Sequence, residues 1–404
     1  MKFAHIADCH LGCWRNPTMQ ELSLRAFEKA IDRCIKEKVD FVIIAGDLFD
    51  TAIPSIDVLK VAANKLRELK EKNIKCFLIP GSHDFSATGK TMISVLENAG
   101  LCINVDRNFF EFNDIVLYGV AGKKGSLEQR EIIELKKELN DLVKGKKAIL
   151  LLHTTITEAL DERLKEKMPS ISLDELPDNF IYYALGHLHD PCVIEKNNKL
   201  VVYPGALFPS NFLELEKQHN LRFFIVEIKN GKIHKADIKE VREEIARILN
   251  ITVRADDETP ISVKEKIEKE IEKIAKNEKS LKNSVLTLRV EGKLKSGKPS
   301  EIRFDEIENK IKELGALTFL KNTAKLETRE FELKIKAEEL ESIEKLEELS
   351  LDEAIKEGII KKEDKELVET LLKHLDLEKQ EGETTASFTE RIAKDLSKAL
   401  HLDI

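Results

Sequence analysis

The first 236 residues alternate short apolar runs with longer amphipathic stretches. Apolar residues recur at helical spacing over residues 19–38 and 55–72. Five short, mainly apolar runs are typical of buried strands and lie at residues 2–7, 41–45, 76–80, 148–152 and 180–185. A strand, a helix and a second strand in succession predict parallel pairing through a right-handed crossover. We therefore predict an α/β fold in which two sheets form a sandwich flanked by helices.

The pattern changes after residue 239. Residues 240–336 alternate charged helices with strands, the last two of which are expected near 318–320 and 328–335, so this stretch predicts a small α/β domain. From residue 337 onward the pattern is almost wholly helical, with too few apolar residues to form a core alone. The apolar stripes must therefore pack on the rest of the chain or on a partner, and we expect a partner. The predicted domains are 1–239, 240–336 and 337–404.

Side chains of the types that bind metal ions follow the five apolar runs. They are Asp8 and His10, then Asp47, then Ser82, His83 and Asp84, then His153, and finally His187 and His189. The carboxyl ends of parallel strands meet at one edge of a sheet, so these side chains are expected to converge. The i, i+2 spacing of Asp8 and His10 aims both to one side of an extended chain. Mixed imidazole and carboxylate ligands suit manganese, iron or zinc.

Two aspartates and several histidines at one edge predict a centre for two divalent ions, which suits the hydrolysis of phosphodiesters. Asp47 is the candidate for a carboxylate shared by both ions. His83, beside a ligand position, is the candidate acid for the leaving group. We expect Asp84 to orient the ring of His83 through a hydrogen bond to its other nitrogen.

The charge of the chain is unevenly distributed. The formal net charge is −8, and residues 337–404 carry 20 acidic and 10 basic residues, so the acidity belongs to the tail. Clustered lysines elsewhere remain candidates for contacts with DNA phosphates, the alternative being a solvated surface. These lysines are Lys123 and Lys124 in a glycine-flanked loop, and Lys293, Lys295 and Lys298 around a turn.

Several protein classes are excluded by composition. No apolar run approaches the roughly 20 residues that a membrane helix needs, and the N-terminal stretch has no apolar segment of a secretory signal. The six cysteines lack the paired spacing of a structural zinc site. We therefore expect reduced thiols, no membrane partner, and a cytoplasmic or nucleoid-associated protein.

The strand-end motifs carry a family resemblance. Asp8-x-His10, Gly46-Asp47, Gly81-x-His83-Asp84, His153 and Gly186-His187-x-His189 resemble the five phosphoesterase motifs of the calcineurin-like metallophosphatases. Residues 7–12, 46–50 and 186–189 more closely resemble the DNA double-strand-break repair nucleases of the SbcD and MRE-eleven type.

The resemblance implies a manganese-dependent nuclease with 3′-to-5′ exonuclease activity on duplex ends and endonuclease activity on single strands. It implies a homodimer that works with two SMC-like ABC ATPase subunits, a DNA-capping domain at 240–336, and an ATPase-binding helical segment after it. Carried over by motif, one ion would be held by Asp8, His10, Asp47 and His189. The other would be held by Asp47, Ser82, His153 and His187.

Two positions depart from the family pattern. The family usually has asparagine where this chain has Ser82, and many relatives have histidine where it has Asp50, so a DNA contact at that position is in doubt. Two alternatives therefore stay open beside the nuclease. One is a metallophosphatase or phosphodiesterase acting on a substrate other than DNA, and the other is a weakly catalytic DNA-end-binding scaffold.

Replacing Ser82 with asparagine should tighten binding of the second ion, because an amide carbonyl reaches further than a hydroxyl. Calorimetric titration with Mn²⁺, together with turnover, checks this expectation. Unchanged manganese affinity and unchanged turnover in Ser82→Asn would contradict it.

Overall fold

The computed structural model describes residues 1–86, 89–217, 220–277 and 281–328, and single positions between 351 and 397. The chain divides into two units, Met1–Thr328 and Arg329–Ile404, and the elements below belong to the first. The described strands are β1 Lys2–Ile6, β2 Phe41–Ala45, β3 Lys75–Ile79, β4 Ile103–Asn104, β5 Phe110–Phe112, β6 Ile115–Val120, β7 Lys147–His153, β8 Tyr182–Gly186, β9 Cys192–Lys196, β10 Lys199–Tyr203, β11 Leu221–Glu227, β12 Ile238–Glu243, β13 Arg247–Arg254, β14 Ser284–Lys293 and β15 Thr318–Glu327. The described α-helices are α1 Pro17–Lys36, α2 Ile56–Glu71, α3 Met92–Asn98, α4 Leu127–Leu142, α5 Glu162–Lys165, α6 Phe212–Glu216, α7 Pro260–Asn277 and α8 Phe304–Glu313.

Two mixed sheets form the larger part of the described chain. The first has the strand order β12-β11-β1-β2-β3-β4, and the second has the order β5-β6-β7-β8-β10-β9. Strands β1 to β4 are parallel, as are β6, β7, β8 and β10, while the outer pairs are antiparallel. The predicted α/β sandwich is confirmed.

The sheets face each other across an apolar layer. On β2, Phe41, Ile43 and Ala45 point into this layer, whereas Val42 and Ile44 point to the opposite face. That opposite face is covered by the apolar sides of α1 and α2, and α4 covers the outer face of the second sheet. Strand β2 is therefore buried on both faces, which is why its sequence is a continuous apolar run.

Local sequence signals define the first helices. Asn16 caps α1 by accepting a hydrogen bond from the backbone N–H of Met19, and Pro17 occupies the first helical turn, where its missing N–H costs nothing. Ser55 caps α2 in the same way through the N–H of Val58. These caps fix the points at which the chain leaves the loops that follow β1 and β2.

Residues after β12 build a separate three-stranded parallel sheet, β13-β14-β15, with its own apolar core against α7 and α8. The predicted short strand near 318–320 is wrong in length, since β15 continues to Glu327. The strand predicted at 328–335 and the tail helices predicted within 337–404 fall mostly outside the described residues. None of the described helices is long and apolar enough to cross a membrane.

Candidate metal centre

The predicted ligands converge where the carboxyl ends of the central strands meet. Within the first sheet, Ile6 is level with Ile44 and Ala45 with Ile79, so β1, β2 and β3 end together. In the second sheet, His153 at the end of β7 is level with Gly186 at the end of β8. The loops that follow therefore open on one edge shared by both sheets.

The backbone presents these ligands differently from the extended geometry that we predicted. Asp8, His10, Asp47 and His187 all have positive φ angles of 50°, 43°, 49° and 91°. Strand β1 ends at Ile6, so the Asp8–His10 pair lies on a turn and not on an extended strand. Left-handed backbone is costly for side chains other than glycine and clusters at functional sites, because the surrounding structure must hold it in place.

Asp8, His10 and His189 form the first cluster of ligand atoms. The Nε2 atoms of His10 and His189 lie 3.1 Å apart. Two nitrogens bound to one ion at about 2.1 Å would be separated by about 3.0–3.4 Å in tetrahedral or octahedral geometry. The facing nitrogens therefore fit a shared metal ion.

Asp8, Asp47 and His153 form the second cluster. His153 Nε2 lies 3.1 Å from Asp47 Oδ2, yet it is buried without a well-formed hydrogen bond to any described residue. The ring of His187 lies beside that of His153, with centroids 5.2 Å apart. A buried imidazole nitrogen that has no well-formed hydrogen bond and faces a carboxylate fits the place of a metal ligand.

Asp47 belongs to the second cluster and also faces the first. Its Oδ1 accepts a hydrogen bond of 2.9 Å from the backbone N–H of His83. Its Oδ2 faces His153 Nε2 at 3.1 Å and His10 Nε2 at 3.7 Å. One carboxylate oxygen is thus held by the backbone, while the other is directed at imidazoles of both clusters.

Carboxylates raise the pKa values of two histidines in the centre. Burial alone would lower the pKa of His153, but Asp47 and Asp8 raise it to about 10. Burial acts in the same direction on His189, and a hydrogen bond from its ring to Glu214 raises the pKa of His189 to about 9. Buried carboxylates thus draw protons onto these histidines, and divalent ions would have to displace those protons on binding.

Ser82 and His83 lie at the open side of the centre. Both line a cleft that also contains Lys123, Lys124 and His187. The side chain of His83 is 48% exposed, and its ring packs edge-on against His10 with centroids 4.8 Å apart. His83 is therefore next to the first cluster but reachable by a substrate in the cleft.

The predicted role of Asp84 is wrong. Its carboxylate does not orient the ring of His83, because it accepts hydrogen bonds from the backbone N–H groups of Leu48, Phe49 and Gly81. His83 Nδ1 instead donates to the main-chain carbonyl of Asp50 at 2.9 Å. Burial and the nearby Asp47 raise the pKa of Asp84 to about 6. Asp84 thus holds the loops after β2 and β3 together.

The predicted DNA-contacting lysines lie in two places. Lys123 and Lys124 line the cleft, where Lys123 is paired with Glu131 and Lys124 is exposed. Lys293, at the end of β14, and Lys295 and Lys298, in the loop after it, are also exposed. The structure therefore places only the first pair beside the candidate ligands.

The sequence analysis assigned no contact with a candidate ligand to two carboxylates beside the centre. Asp50 Oδ1 lies 3.2 Å from His10 Nδ1, and Glu214 Oε1 lies 2.6 Å from His189 Nδ1. Asp50 adjoins the Gly46-Asp47 motif, so its proximity could have been anticipated. Glu214 lies 25 residues after His189 on the short helix α6, and no sequence motif marks it.

Comparison with known proteins agrees with this geometry. Residues 1–191 match the family described as calcineurin-like phosphoesterase. The two facing sheets, the ligand clusters and this match define the chain as a metal-dependent phosphodiesterase of that class.

Curated relatives narrow the class further. A DNA double-strand break repair protein Mre11 from Archaeoglobus fulgidus is 30% identical over 99% of this chain and 97% of its own length. A protein of the same name from Thermoplasma acidophilum is 28% identical over 60% of this chain and 66% of its own length. Another, from Sulfurisphaera tokodaii, is 34% identical over 49% of this chain and 51% of its own length. The chain belongs to the Mre11 family.

Replacing Asp84 with alanine should lower the free energy of unfolding of the metal-free protein by about 1–3 kcal/mol, because three backbone N–H groups lose their acceptor. Manganese affinity should fall with it, since the loop that carries Asp47 loosens. Urea unfolding and calorimetry measure the two effects. The matched control is Asp114→Ala, whose carboxylate is 60% exposed. Equal urea midpoints for Asp84→Ala and the wild type would contradict the bracing role.

Proposed function

We propose that the chain is a manganese-dependent DNA nuclease that acts in double-strand-break repair. Its proposed activities are 3′-to-5′ exonuclease cleavage at duplex ends and endonuclease cleavage of single strands. The observation that carries the proposal is the position of Asp47, whose Oδ2 faces imidazoles of both clusters. The relatives named for double-strand break repair favour DNA as the substrate.

In the proposed centre, one ion is held by Asp8, His10, Asp47 and His189, and the other by Asp47, Ser82, His153 and His187. When bound, such a pair of ions supplies positive charge for a phosphate oxygen and lowers the pKa of water. Hydrogen bonds within the protein hold the candidate ligands in place. Asp8 accepts hydrogen bonds of 2.9 and 3.1 Å from the backbone N–H of His187, which ties the loop of one sheet to that of the other.

His83 is the proposed acid for the leaving oxygen. Its Nδ1 donates to the carbonyl of Asp50, so its Nε2 is the nitrogen that can hand a proton to the substrate. The half-exposed ring lies in the cleft beside His10, where a phosphodiester would have to bind. The proposal thus assigns proton transfer to His83 and metal binding to the neighbouring His10.

DNA is proposed to reach the centre through the same cleft. Lys124 is exposed there, close to His83 and Ser82, and can neutralise a backbone phosphate. Lys123 pairs with Glu131, so its contribution requires that this ion pair open. Lys293, Lys295 and Lys298 belong to residues 240–336, which we propose to be the DNA-capping domain.

A homodimer and an ATPase partner complete the proposal. Ile53, in the loop before α2, and Ile56, the first residue of α2, are 77% and 83% exposed and are suited to contact a second copy. Residues 337–404 are proposed to bind an SMC-like ABC ATPase. Sedimentation of the full chain against Ile56→Glu tests the dimer. Co-purification of the ATPase with the full chain, but not with residues 1–336, tests the partner.

With Mn²⁺, the full chain should cleave a labelled DNA hairpin in preference to bis-p-nitrophenyl phosphate. His83→Gln should slow cleavage by about 10²–10⁴-fold, the usual contribution of a general acid, while manganese binding persists. The control is His234→Gln, which replaces an exposed histidine remote from the clusters in sequence. Hydrolysis of the small diester without hairpin cleavage would identify a different phosphodiesterase. A bound but uncut hairpin would identify a scaffold.

Lys124→Glu should weaken duplex binding and reduce the dependence of binding on salt. Each lost phosphate contact lowers the slope of log K against log salt by about 0.9, so replacing Lys293, Lys295 and Lys298 together should lower it further. Binding isotherms between low and moderate salt measure the slope. The charge-matched controls are Lys144→Glu and the triple replacement of the exposed Lys60, Lys144 and Lys196. A slope equal to that of the controls would remove these lysines from the DNA interface.

A further inference from the structure

Glu214 is built into the protein as a fixed acceptor for His189. Its side chain is largely buried, and Oε1 lies 2.6 Å from His189 Nδ1. The carboxylate is itself held, since Oε2 accepts the backbone N–H of Ser210 at 2.8 Å and Oε1 accepts the amide of Asn211. With Nδ1 donating to Glu214, Nε2 is the nitrogen of His189 that is left to bind a metal ion, and this atom faces His10.

The helix that carries Glu214 is clamped to the three-stranded sheet. Two residues further along α6, Glu216 receives both Nε and Nη2 of Arg289 on β14, at 2.7 and 2.6 Å. The Arg289 guanidinium also lies 5.6 Å from the centre of the Phe212 ring. On β13, Asn250 donates to the main-chain oxygen of Glu216 at 2.6 Å. A bidentate, charge-assisted pair of this kind fixes orientation as well as distance.

We propose that α6 is a positioning element for the metal centre: Glu214 sets the ring of His189, and the Glu216–Arg289 pair holds α6 against the three-stranded sheet. Glu214 is a positioning residue because it contacts His189, a proposed metal ligand, and does not contact the substrate. Any displacement of β14 relative to the first sheet therefore reaches His189 through a five-residue helix. This inference rests on the proposed ligand role of His189 and deepens it by naming what keeps that ligand in place.

The physical basis is the behaviour of metal-bound imidazoles. A carboxylate that accepts the second N–H of a histidine fixes its tautomer and ring angle and increases its basicity, and losing that partner costs about 10–100-fold in metal affinity. Short α6 cannot supply this rigidity alone, since a helix of five residues gains little stability from its own hydrogen bonds. The contacts to β13 and β14 supply the rest.

The test is calorimetric titration of Mn²⁺ into the metal-free full chain. Glu214→Ala should weaken binding at one of two sites by about 10–100-fold. Glu214→Gln should recover part of the loss, because its amide oxygen can still accept from Nδ1. Arg289→Met, which touches no ligand, should weaken the same site by about 2- to 30-fold. The control is Arg254→Met, because Arg254 is an exposed arginine on β13 that pairs with Asp256 and Glu291 and not with α6.

Thermal unfolding of each metal-free variant separates misfolding from mispositioning. If metal-free Arg289→Met unfolds at a lower temperature than the wild type, the double variant Glu216→Arg with Arg289→Glu is tested in its place. This charge swap keeps the ion pair and should restore the affinity for Mn²⁺. Wild-type affinity in Glu214→Ala overturns the positioning role, and equal affinities of Arg289→Met and Arg254→Met overturn the link to β14. His189→Ala separates the two levels, since wild-type binding in that variant refutes the ligand role on which the inference rests.

Discussion

The buried carboxylate of Asp47 is the constraint on which the rest of the structure depends. A charged group removed from water is costly unless opposite charge or hydrogen bonds compensate it. Here the compensation comes from both sheets, since His10 follows β1 of the first and His153 ends β7 of the second. The apolar layer between the sheets fixes their separation, so core packing and the metal centre impose one requirement on the sequence.

The same requirement explains the glycines and the strained backbone. A Cβ on Gly46 would lie 2.1 Å from His153 Nδ1, and one on Gly186 would lie 2.0 Å from the carbonyl oxygen of Ala45. Both sheets approach too closely at this edge to admit any side chain there. Positive φ at Asp8, Asp47 and His187 then turns the chain sharply enough to bring ligands back over the strand ends. The glycines in these motifs therefore allow the two sheets to approach closely, just as the aspartates and histidines supply the candidate ligands.

Much of this could be predicted because the strands are buried on both faces. The five-residue apolar run of β2 predicts a buried strand, and the Gly46-Asp47 pair directly after it predicts that candidate ligands lie at the end of that strand. Other features depend on which backbone groups meet in space. Asp84 finds three N–H donors, two of them from a loop more than 30 residues away, and no local pattern announces this. Strand β15 was underestimated because most of its second half is only partly buried or exposed, and its polar residues there look like a loop.

The two ligand groups differ in how firmly their histidines are held. In the first, Asp50 faces the Nδ1 of His10 and Glu214 that of His189, so both rings have carboxylate partners. In the second, His153 Nδ1 donates to the neutral carbonyl of Ala45. A carboxylate partner fixes the tautomer and the angle of a metal-binding ring, so the rings of the first group are held more firmly. With the ligand sets proposed above, this asymmetry favours ordered loading, in which the ion of the first group binds first and the ion of the second group exchanges more readily.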